Sequence, residues 1–428
     1  MNDYCESAIT REYVTRTPKS RGYYDRFCLC LPGGETRSVT QYDPYPVVVA
    51  EGHGPLLRDL DGNEYLDVLN NYTALVHGHG FGPITEAVQA ILSAGTVFPA
   101  PHLALLDLAE ALIERYPPFE RVRFTNSGTE ANLLALRIAR AATGRERIVM
   151  FEGGYHGSVP EFIDRSICTL RVPYNDIDRA CAAIDNSVAA VFAEPFLGSG
   201  GVIPGDRDFL HAVADQARAV GSLFVLDEVQ SLRNAFHGMN SQLGLMPDLL
   251  VMGKVIGGGF PVGAVGGTKS LMNLTTAKTG GRLSHSGTFN GNVVTTSAGV
   301  ACLRALDESA ITRLNTSAAL LAAEIEACAG RVGVPAAVTR AGSILHVHLI
   351  GGTPTCPDPP GVESKIAVAQ LHLALLLEGV YAAPRGMLNL STALDESQIA
   401  QVATAYENAF SRIQPFMSKG PPLQARGT

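Results

Sequence analysis

Leu249-Leu-Val-Met-Gly-Lys-Val-Ile-Gly-Gly-Gly-Phe-Pro261 is the stretch of this 428-residue sequence that says most about its fold. It starts as an apolar strand, places Lys254 at the strand's end and continues into three glycines. Lysine is rarely placed in such a run for solvation, and desolvation lowers its pKa, which gives the free amine that a Schiff base requires. A P-loop does not fit, because the glycines follow the lysine and no Ser or Thr comes next. The stretch therefore predicts a buried strand that ends in a reactive lysine.

Other apolar runs of the same kind precede this stretch and alternate with helical patterns such as that of residues 211–220. Near-continuous apolar strands separated by helices are typical of a mostly parallel sheet that helices cover on both faces. We therefore expect fold class α/β, with a large domain at residues 69–308. The apolar runs are Arg147–Phe151, Val188–Ala193, Leu223–Leu226 and Leu249–Met252.

The two ends of the chain have different patterns. Residues 1–68 mix proline and glycine with strand-like runs such as Tyr45–Ala50, which predicts an N-terminal segment packed on the smaller domain. Residues 309–428 contain helical patterns at 317–329 and 366–378 and strand candidates at 344–349 and 387–390. These features predict a small α+β C-terminal domain.

The composition and the net charge exclude some kinds of binding partner. The net charge is -8 and no block of Lys or Arg stands out, so we expect no nucleic acid or anionic membrane as partner. No apolar run reaches the ~18 residues that a membrane helix needs. The eight cysteines form no C-x-x-C pair and predict no metal site. With no signal or transit peptide evident, we expect a cytoplasmic protein that acts on small molecules.

A turn rich in small hydroxyl residues, Thr125-Asn-Ser-Gly-Thr-Glu-Ala-Asn132, joins a short strand to a helix. Backbone N–H groups and hydroxyls at a helix start favour phosphate, because the helix dipole is positive there. We expect Ser127, Gly128 and Thr129 to bind phosphate. Helix capping by Asn126 or Ser127 explains the same residues equally well.

Leu226-Asp-Glu-Val-Gln230 places acids directly after an apolar strand, at the sheet edge where α/β proteins hold their ligands. A carboxylate at this edge suits the protonated pyridine nitrogen of a cofactor that acts as an electron sink. We assign Asp227 to that nitrogen, Val229 to one face of the ring and Gln230 to the vicinity of the ring hydroxyl. The alternative is that Asp227 caps a turn or a helix.

Two further turns are consistent with such a site. Gly153-Gly-Tyr-His-Gly157 offers Tyr155, whose ring could stack on the cofactor face opposite Val229. His285-Ser-Gly-Thr-Phe-Asn290 is a second polar turn that could donate to phosphate. Each turn alone has an ordinary alternative, a core tyrosine or a surface loop.

Taken together, these motifs resemble the class III aminotransferases in order and spacing, over about residues 35 to 410. The resemblance implies a fold-type I enzyme dependent on pyridoxal 5'-phosphate (PLP), with Lys254 and Asp227 as catalytic residues. It also implies a homodimer with shared active sites, in which Thr288 reaches the partner subunit's phosphate. The matching motifs are Asn126-Ser-Gly-Thr-Glu-Ala131, Tyr155-His-Gly157, Glu194-Pro195, Asp227-Glu-Val229, the residues 253–264 and Gly287-Thr-Phe-Asn-Gly-Asn292.

Within the class, the sequence is most similar to glutamate-1-semialdehyde aminomutases and to aromatic β-amino acid aminotransferases. This similarity implies carboxylate recognition by Arg37 and Arg385, and a pocket for an apolar or aromatic side chain lined by Tyr72 and Val39. The alternative for either arginine is a surface ion pair. The stretches that carry the similarity are Arg37-Ser-Val39, Asn71-Tyr-Thr-Ala74, Pro173-Tyr-Asn-Asp176, His285–Asn290 and Ala383-Pro-Arg-Gly386.

The stretch after Glu194 favours net amino transfer between an amino acid and a 2-oxo acid. It lacks the Glu that is usual in ornithine and 4-aminobutyrate aminotransferases and the Asn that is typical of the aminomutases. An aminomutase is the second hypothesis, and a PLP-dependent racemase or epimerase the third. An inactive PLP-fold binding protein is disfavoured because Lys254 and Asp227 are both present. A lysine-dependent aldolase would have no use for Asp227 and two phosphate turns.

Overall fold

A computed structural model describes residues 7–117, 119–163, 168–278, 282–357 and 365–417. The expectation that no signal or transit peptide is present concerns the N-terminus, and residues 1–6 lie outside these ranges. The strands of the described ranges, numbered along the chain, are β1 (Val49–His53), β2 (Leu56–Asp59), β3 (Glu64–Asp67), β4 (Arg121–Thr125), β5 (Arg147–Phe151), β6 (Thr169–Val172), β7 (Val188–Ala193), β8 (Phe196–Leu197), β9 (Ile203–Pro204), β10 (Leu223–Asp227), β11 (Leu249–Gly253), β12 (Gly263–Gly267), β13 (Ala337–Ala341), β14 (Ile344–His348), β15 (Val380–Tyr381) and β16 (Met387–Asn389).

The helices fall into a longer group and a shorter group. Those of seven residues or more in the described ranges are α1 (Ala8–Arg16), α2 (Pro18–Cys30), α3 (Gly82–Leu92), α4 (Leu103–Arg115), α5 (Gly128–Thr143), α6 (Ile177–Ala183), α7 (Arg207–Ala219), α8 (Val293–Ala305), α9 (Glu308–Val332), α10 (Lys365–Leu377) and α11 (Glu396–Met417). Shorter helical turns lie at Pro32–Gly34, Ser38–Thr40, Asn70–Thr73, Pro160–Ile163, Ser231–Asn234, Gly238–Leu243, Lys254–Gly257, Lys269–Met272 and Asn273–Thr275.

The main sheet has seven strands in the order β4-β12-β11-β10-β7-β5-β6. The neighbouring pairs from β11 to β6 are parallel, and β12 is antiparallel to both β11 and β4. This arrangement confirms the expected α/β class with a mostly parallel sheet. The apolar runs at 147–151 and 188–193 coincide with β5 and β7.

Side chains alternate between the two faces of this sheet, as the two-residue repeat of a strand requires. Phe224 of β10 packs in one buried cluster with Phe209 of α7, whereas Val225 packs in another with Leu134 of α5. Burial of a large apolar side chain contributes roughly 1.5–3 kcal/mol, so helices on both faces stabilise the sheet. The sheet thus holds its strand ends in fixed positions.

Smaller sheets lie outside the main sheet, and one of them joins the two ends of the chain. The sheet β1-β2-β3-β15 pairs β3 in parallel with β15, and β13-β14-β16 form a second small sheet. The helical patterns expected at 317–329 and 366–378 lie in α9 and α10. The domain bounds at 68 and 308 stay a prediction.

The N-terminal segment departs from the expectation in one run, and it also contains helices that were not predicted. The segment contains helices α1 and α2, which the mixture of proline and glycine did not indicate. The run Tyr45–Ala50 is strand only from Val49, because the N–H groups of Val47 and Val48 donate to side-chain hydroxyls of Tyr42 and Ser20 instead of a neighbouring strand. Within the described part of the chain, none of the helices has the length and apolar character needed to cross a membrane.

Candidate active site

Lys254 follows the last residue of β11 and begins the turn Lys254–Gly257. Its φ is 50°, a left-handed conformation that residues other than glycine rarely adopt. Burial lowers the pKa of its ammonium group to about 8, and the negative charges of Asp227 and Glu194 oppose that shift. Because a neutral amine is the nucleophilic form, this lysine is suited to react near neutral pH.

Asp227 ends β10, the strand next to β11, and only 5% of its surface is exposed. Its Oδ2 accepts a hydrogen bond from Nδ2 of Asn132 at 2.7 Å and lies 2.8 Å from Nδ1 of His156. Its Oδ1 accepts from the N–H of Val229 at 3.0 Å. The turn-capping alternative accounts for the last contact only. The other two contacts hold the carboxylate from distant elements and fix its orientation.

The sequence reasoning gave no role to Asn132 or His156, although both are almost fully buried against Asp227. Asn132 lies on α5, and its position on a buried helix face was the signal that could have singled it out. His156 lies in the loop after β5, and only its place beside Tyr155 marked it. Neither contact could be read from spacing, because the partners are 95 and 71 residues apart.

Glu194 connects two loops beside the site. Its Oε2 accepts from the N–H of Tyr155 at 3.0 Å, and its Oε1 accepts from the N–H of Gly198 at 3.3 Å. Burial raises the pKa of this carboxyl group to about 7; His156 opposes the shift and the charge of Asp227 adds to it. The backbone of Tyr155 is thereby held, while its side chain is 46% exposed and free to contact a ligand.

The expected phosphate turn lies where α5 begins. Ser127 Oγ accepts from the N–H of Glu130 at 3.2 Å, so the capping alternative is correct for Ser127. Its O–H remains available to donate. The N–H groups of Gly128 and Thr129 have no intrahelical acceptor, since they lie in the first turn of the helix. The turn can therefore cap its helix and still offer donors to an anion.

Val229 and Gln230 follow Asp227 and line the space between the turn and the strand ends. A Cβ built on Gly128 would lie 3.1 Å from the Val229 side chain, and one built on Gly198 would lie 2.6 Å from that of Gln230. Both glycines are thus required for this close approach. Oε1 of Gln230 is buried and has no partner among the described residues. An unsatisfied buried acceptor at this position suits a hydroxyl donor on a ligand.

These residues fit PLP. A lysine amine with a lowered pKa suits its aldehyde, a buried carboxylate its protonated ring nitrogen, and open N–H groups at a helix start its phosphate. The unpartnered oxygen of Gln230 suits the ring hydroxyl. Among the described residues, no group of three or more His, Cys, Asp or Glu side chains could hold a metal ion.

Thr288 lies in an exposed loop between the short turns after β12 and helix α8. The loop is tied to the phosphate turn, since Nδ2 of Asn126 donates to Oδ1 of Asn290 at 2.9 Å. Thr288 lines a cavity of about 310 Å³ together with Phe98 and Leu105. The structure therefore leaves its side chain on the surface of the single chain.

Arg37 and Tyr72 lie against each other. Nη1 of Arg37 donates to Oδ1 of Asn71 at 2.6 Å, and its guanidinium carbon lies 5.5 Å from the centre of the Tyr72 ring. The positive charge of Arg37 contributes to the lowered pKa of Lys254, which places the two groups within electrostatic reach. The Tyr72 hydroxyl donates to the carbonyl of Val39 at 2.7 Å. The expected substrate residues Arg37, Val39 and Tyr72 are thus together.

Arg385 approaches Tyr72 from the C-terminal part of the chain. Burial raises the pKa of Tyr72, and the nearby charges of Arg385 and Arg37 oppose that shift. Arg385 lines a cavity of about 950 Å³ with His346 and His348. Among the described residues, neither arginine forms an ion pair with a carboxylate, so the ion-pair alternative fails for both. Two exposed guanidinium groups that form no ion pair among the described residues are available to a carboxylated ligand.

Comparison with known proteins is consistent with this site. The class-III aminotransferase family model matches residues 38–166 and 168–394. β-Phenylalanine transaminase of Variovorax paradoxus is 39% identical over 406 residues, 92% of this chain and 93% of that protein. Glutamate-1-semialdehyde 2,1-aminomutase 2 of Geobacillus kaustophilus (strain HTA426) is 33% identical over 427 residues, 92% of this chain and 99% of that protein. An ω-transaminase structure from Sphaerobacter thermophilus has a TM-score of 0.89 at 36% identity, covering 97% of this chain and 100% of that one.

Proposed function

The chain belongs to the class III aminotransferases and its cofactor is pyridoxal 5'-phosphate, and on this basis we propose that it moves an amino group from a β-amino or aromatic amino acid to a 2-oxo acid. Lys254 is the residue that binds the cofactor covalently. One observation supports the proposal most strongly. The neighbouring strands β10 and β11 end side by side, and there β10 ends in the buried carboxylate of Asp227, while β11 is followed by Lys254, whose amine has a lowered pKa.

When bound, the cofactor supplies an aldehyde and an electron-withdrawing ring that stabilises negative charge at the substrate carbon. Lys254 would remove the proton from the donor's carbon in one half-reaction and deliver a proton to the acceptor's carbon in the other, because its neutral amine is accessible near pH 8.

Asp227 keeps the ring nitrogen protonated. Asn132 and His156 donate to its carboxylate and hold the charge where it is needed. Tyr155 and Val229 enclose the ring from opposite faces, while Gln230 accepts from the ring hydroxyl. A preorganised charge of this kind acts most strongly where water is excluded.

Arg37 selects the substrate through its carboxylate. A guanidinium can hold a carboxylate with two parallel hydrogen bonds, which a lysine cannot reproduce. Arg385 serves the second carboxylate of acceptors such as 2-oxoglutarate. Tyr72 and Val39 contact the apolar or aromatic side chain of the donor.

The active form is a homodimer in which Thr288 binds the phosphate of the partner subunit. Support comes from large apolar side chains that are exposed near the Thr288 loop, since such patches mark interfaces. They are Val97, Phe98, Leu103, Leu106 and Phe289. The test is to mix Lys254→Ala with a Thr288→Val variant. Activity above that of either parent would come from hybrid sites, and an active monomer would contradict the dimer.

A cytoplasmic location is part of the proposal. Cys28 and Cys30 are exposed and form no disulfide bond. Unpaired exposed thiols are typical of a reducing compartment.

The second candidate function is an aminomutase, which the 33% identity to glutamate-1-semialdehyde aminomutase favours. The stretch after Glu194 disfavours it, because the Asn typical of those enzymes is absent. A Cβ built on Gly200 would lie 2.9 Å from the carbonyl oxygen of Gly153, so the backbone crowds a side chain at this position. The two functions differ in whether an external acceptor is consumed.

The test supplies the holoenzyme with 3-amino-3-phenylpropanoate and either 2-oxoglutarate or pyruvate, and follows glutamate or alanine by mass spectrometry. We expect product in proportion to the donor consumed. Conversion of glutamate-1-semialdehyde without an acceptor, together with no transfer from any β-amino or aromatic amino acid, would instead establish the aminomutase.

A further inference from the structure

Residues 70–73 form a left-handed turn without glycine. The φ values of Asn70, Asn71, Tyr72 and Thr73 are 47°, 48°, 56° and 78°. L-residues other than glycine visit this region mostly as single residues, because Cβ approaches the following carbonyl oxygen. Four in succession are strained, and such strain persists only where the surroundings enforce it.

A buried hydrogen-bond network enforces this turn. Oδ1 of Asp67 accepts from the N–H groups of Leu69 at 2.9 Å and Asn70 at 2.7 Å, while its Oδ2 lies 2.7 Å from Nε2 of His79. Nδ2 of Asn70 donates to the carbonyls of Asp67 and Asn389. Asp67 and Asn70 are 2% and 0% exposed. The base of the turn is therefore fixed to both ends of the chain.

The exposed part of the turn holds Arg37 from two directions. The amide oxygen of Asn71 accepts from Nη1, and the ring of Tyr72 lies under the guanidinium. A guanidinium has five N–H donors, so the contact with Asn71 leaves the others available. The Tyr72 hydroxyl is tied to Val39, two residues beyond Arg37.

We propose that Asn71 is a positioning residue for substrate selection, held by the strained turn so that its amide oxygen orients Arg37 toward the donor's carboxylate. The inference rests on the proposed function, in which Arg37 binds that carboxylate. Asparagine meets two requirements at this position. It tolerates the left-handed region better than most residues, and its oxygen orients the guanidinium without neutralising it. An aspartate would form an ion pair and compete with the substrate.

The experiment compares Asn71→Gly and Asn71→Asp with wild-type holoenzyme. Glycine keeps the left-handed freedom and removes the amide, whereas aspartate keeps the shape and adds the competing charge. The readout is the ratio of kcat/KM for 3-amino-3-phenylpropanoate to that for 1-phenylethylamine, which lacks a carboxylate. Removal of the amide leaves the guanidinium charged but less well oriented, so we expect a fall of about 2- to 10-fold for glycine, equivalent to one ordinary hydrogen bond, entirely through KM, and a larger fall for aspartate.

Asn175→Gly is the matched control. Asn175 is also a left-handed asparagine, with φ of 63°, and its side chain contacts Pro204 and Asp206. We expect the ratio in this variant to equal that of wild type. Calorimetric titration of the holoenzymes with 3-phenylpropanoate, a carboxylate without an amine, gives a readout independent of turnover. Binding should weaken in both Asn71 variants and stay unchanged in Asn175→Gly.

The outcomes separate the inference from the function on which it rests. If wild type discriminates between the donors and both Asn71 variants retain that discrimination, the inference is wrong and the function stands. If both donors lose activity equally in Asn71→Gly, the turn is structural and the inference is also wrong. If wild type neither discriminates nor binds 3-phenylpropanoate, the proposed function fails first.

Discussion

The cofactor side and the substrate side of this site are built in opposite ways. On the cofactor side, Asp227 and its partners Asn132 and His156 are at most 5% exposed, and each contact lies within the sheet or the elements packed on it. On the substrate side, Arg37 and Arg385 are exposed, and they come from opposite ends of the chain. Here the backbone carries strain in four successive residues, each costing roughly 1–2 kcal/mol.

This difference indicates where chemistry and where selectivity reside. Buried groups that hydrogen bonds hold in place keep their geometry whatever the substrate, as preorganised catalysis requires. Exposed cations that form no ion pair among the described residues can still bind a carboxylate and can be exchanged without disturbing the sheet. Changes on the cofactor side should therefore affect all substrates alike, and changes on the substrate side should affect only some of them.

The largest effect is expected from Asp227→Asn. The amide cannot keep the ring nitrogen protonated, so kcat should fall by at least ~100-fold, the size of one preorganised electrostatic contact. The loss should be equal for 3-amino-3-phenylpropanoate and 1-phenylethylamine, while visible absorbance shows that the cofactor is still bound. Near-normal turnover would reduce Asp227 to the residue that caps the turn at Val229.

A selective effect is expected from Arg37→Ala. Loss of a charged hydrogen bond of ~1.5–3 kcal/mol should lower kcat/KM by roughly 10- to 100-fold for the carboxylated donor. Single-turnover spectra with the two donors measure the difference. Equal impairment of both donors would mean that Arg37 stabilises the structure and does not select the substrate. That result would contradict the difference between the two sides.

A smaller and unselective effect is expected from His156→Asn. The carboxylate of Asp227 keeps Asn132 and Val229 but loses one of its partners, so we expect a loss of about tenfold in kcat for every substrate. Measurement of kcat with 3-amino-3-phenylpropanoate and with 1-phenylethylamine checks this expectation. A variant with full activity would show that His156 is not needed to hold Asp227.

The smallest effect concerns pH. A lysine with a pKa of about 8 is protonated at pH 7 and becomes neutral as pH rises. The neutral fraction should grow by about fivefold between pH 7 and pH 8. The rate at which apoprotein takes up the cofactor, followed by absorbance at constant ionic strength, should rise in the same interval. A midpoint near the ordinary lysine value would mean that Lys254 is not desolvated.

Much of the cofactor side could be predicted from sequence because its signals are local. Lys254 and Asp227 each end an apolar run, and the carboxyl ends of parallel strands meet at one edge. The partners of Asp227 could not be predicted, since Asn132 and His156 reach it across the fold. Helix α1 could not be predicted for the same reason. Thr10 in the helix and Ser7, which precedes it, contact Gln370, about 360 residues away.

The substrate side was predicted only through resemblance. The two asparagines of Asn70-Asn-Tyr-Thr73 tolerate left-handed backbone, but the usual marker of a left-handed turn, glycine, is missing. The conformation depends on Asp67 and on Asn389, which lies 319 positions beyond Asn70. Arg37 and Arg385 could be named as carboxylate ligands, but their proximity to one tyrosine emerges only in the folded chain.

The most direct test of the central claim is to reduce the holoenzyme with borohydride and map the modified peptide by mass spectrometry. We expect the pyridoxyl group on Lys254, at the end of β11, and we expect neither attachment nor turnover in Lys254→Ala. A pyridoxyl group on any other lysine, or turnover in Lys254→Ala, would contradict it.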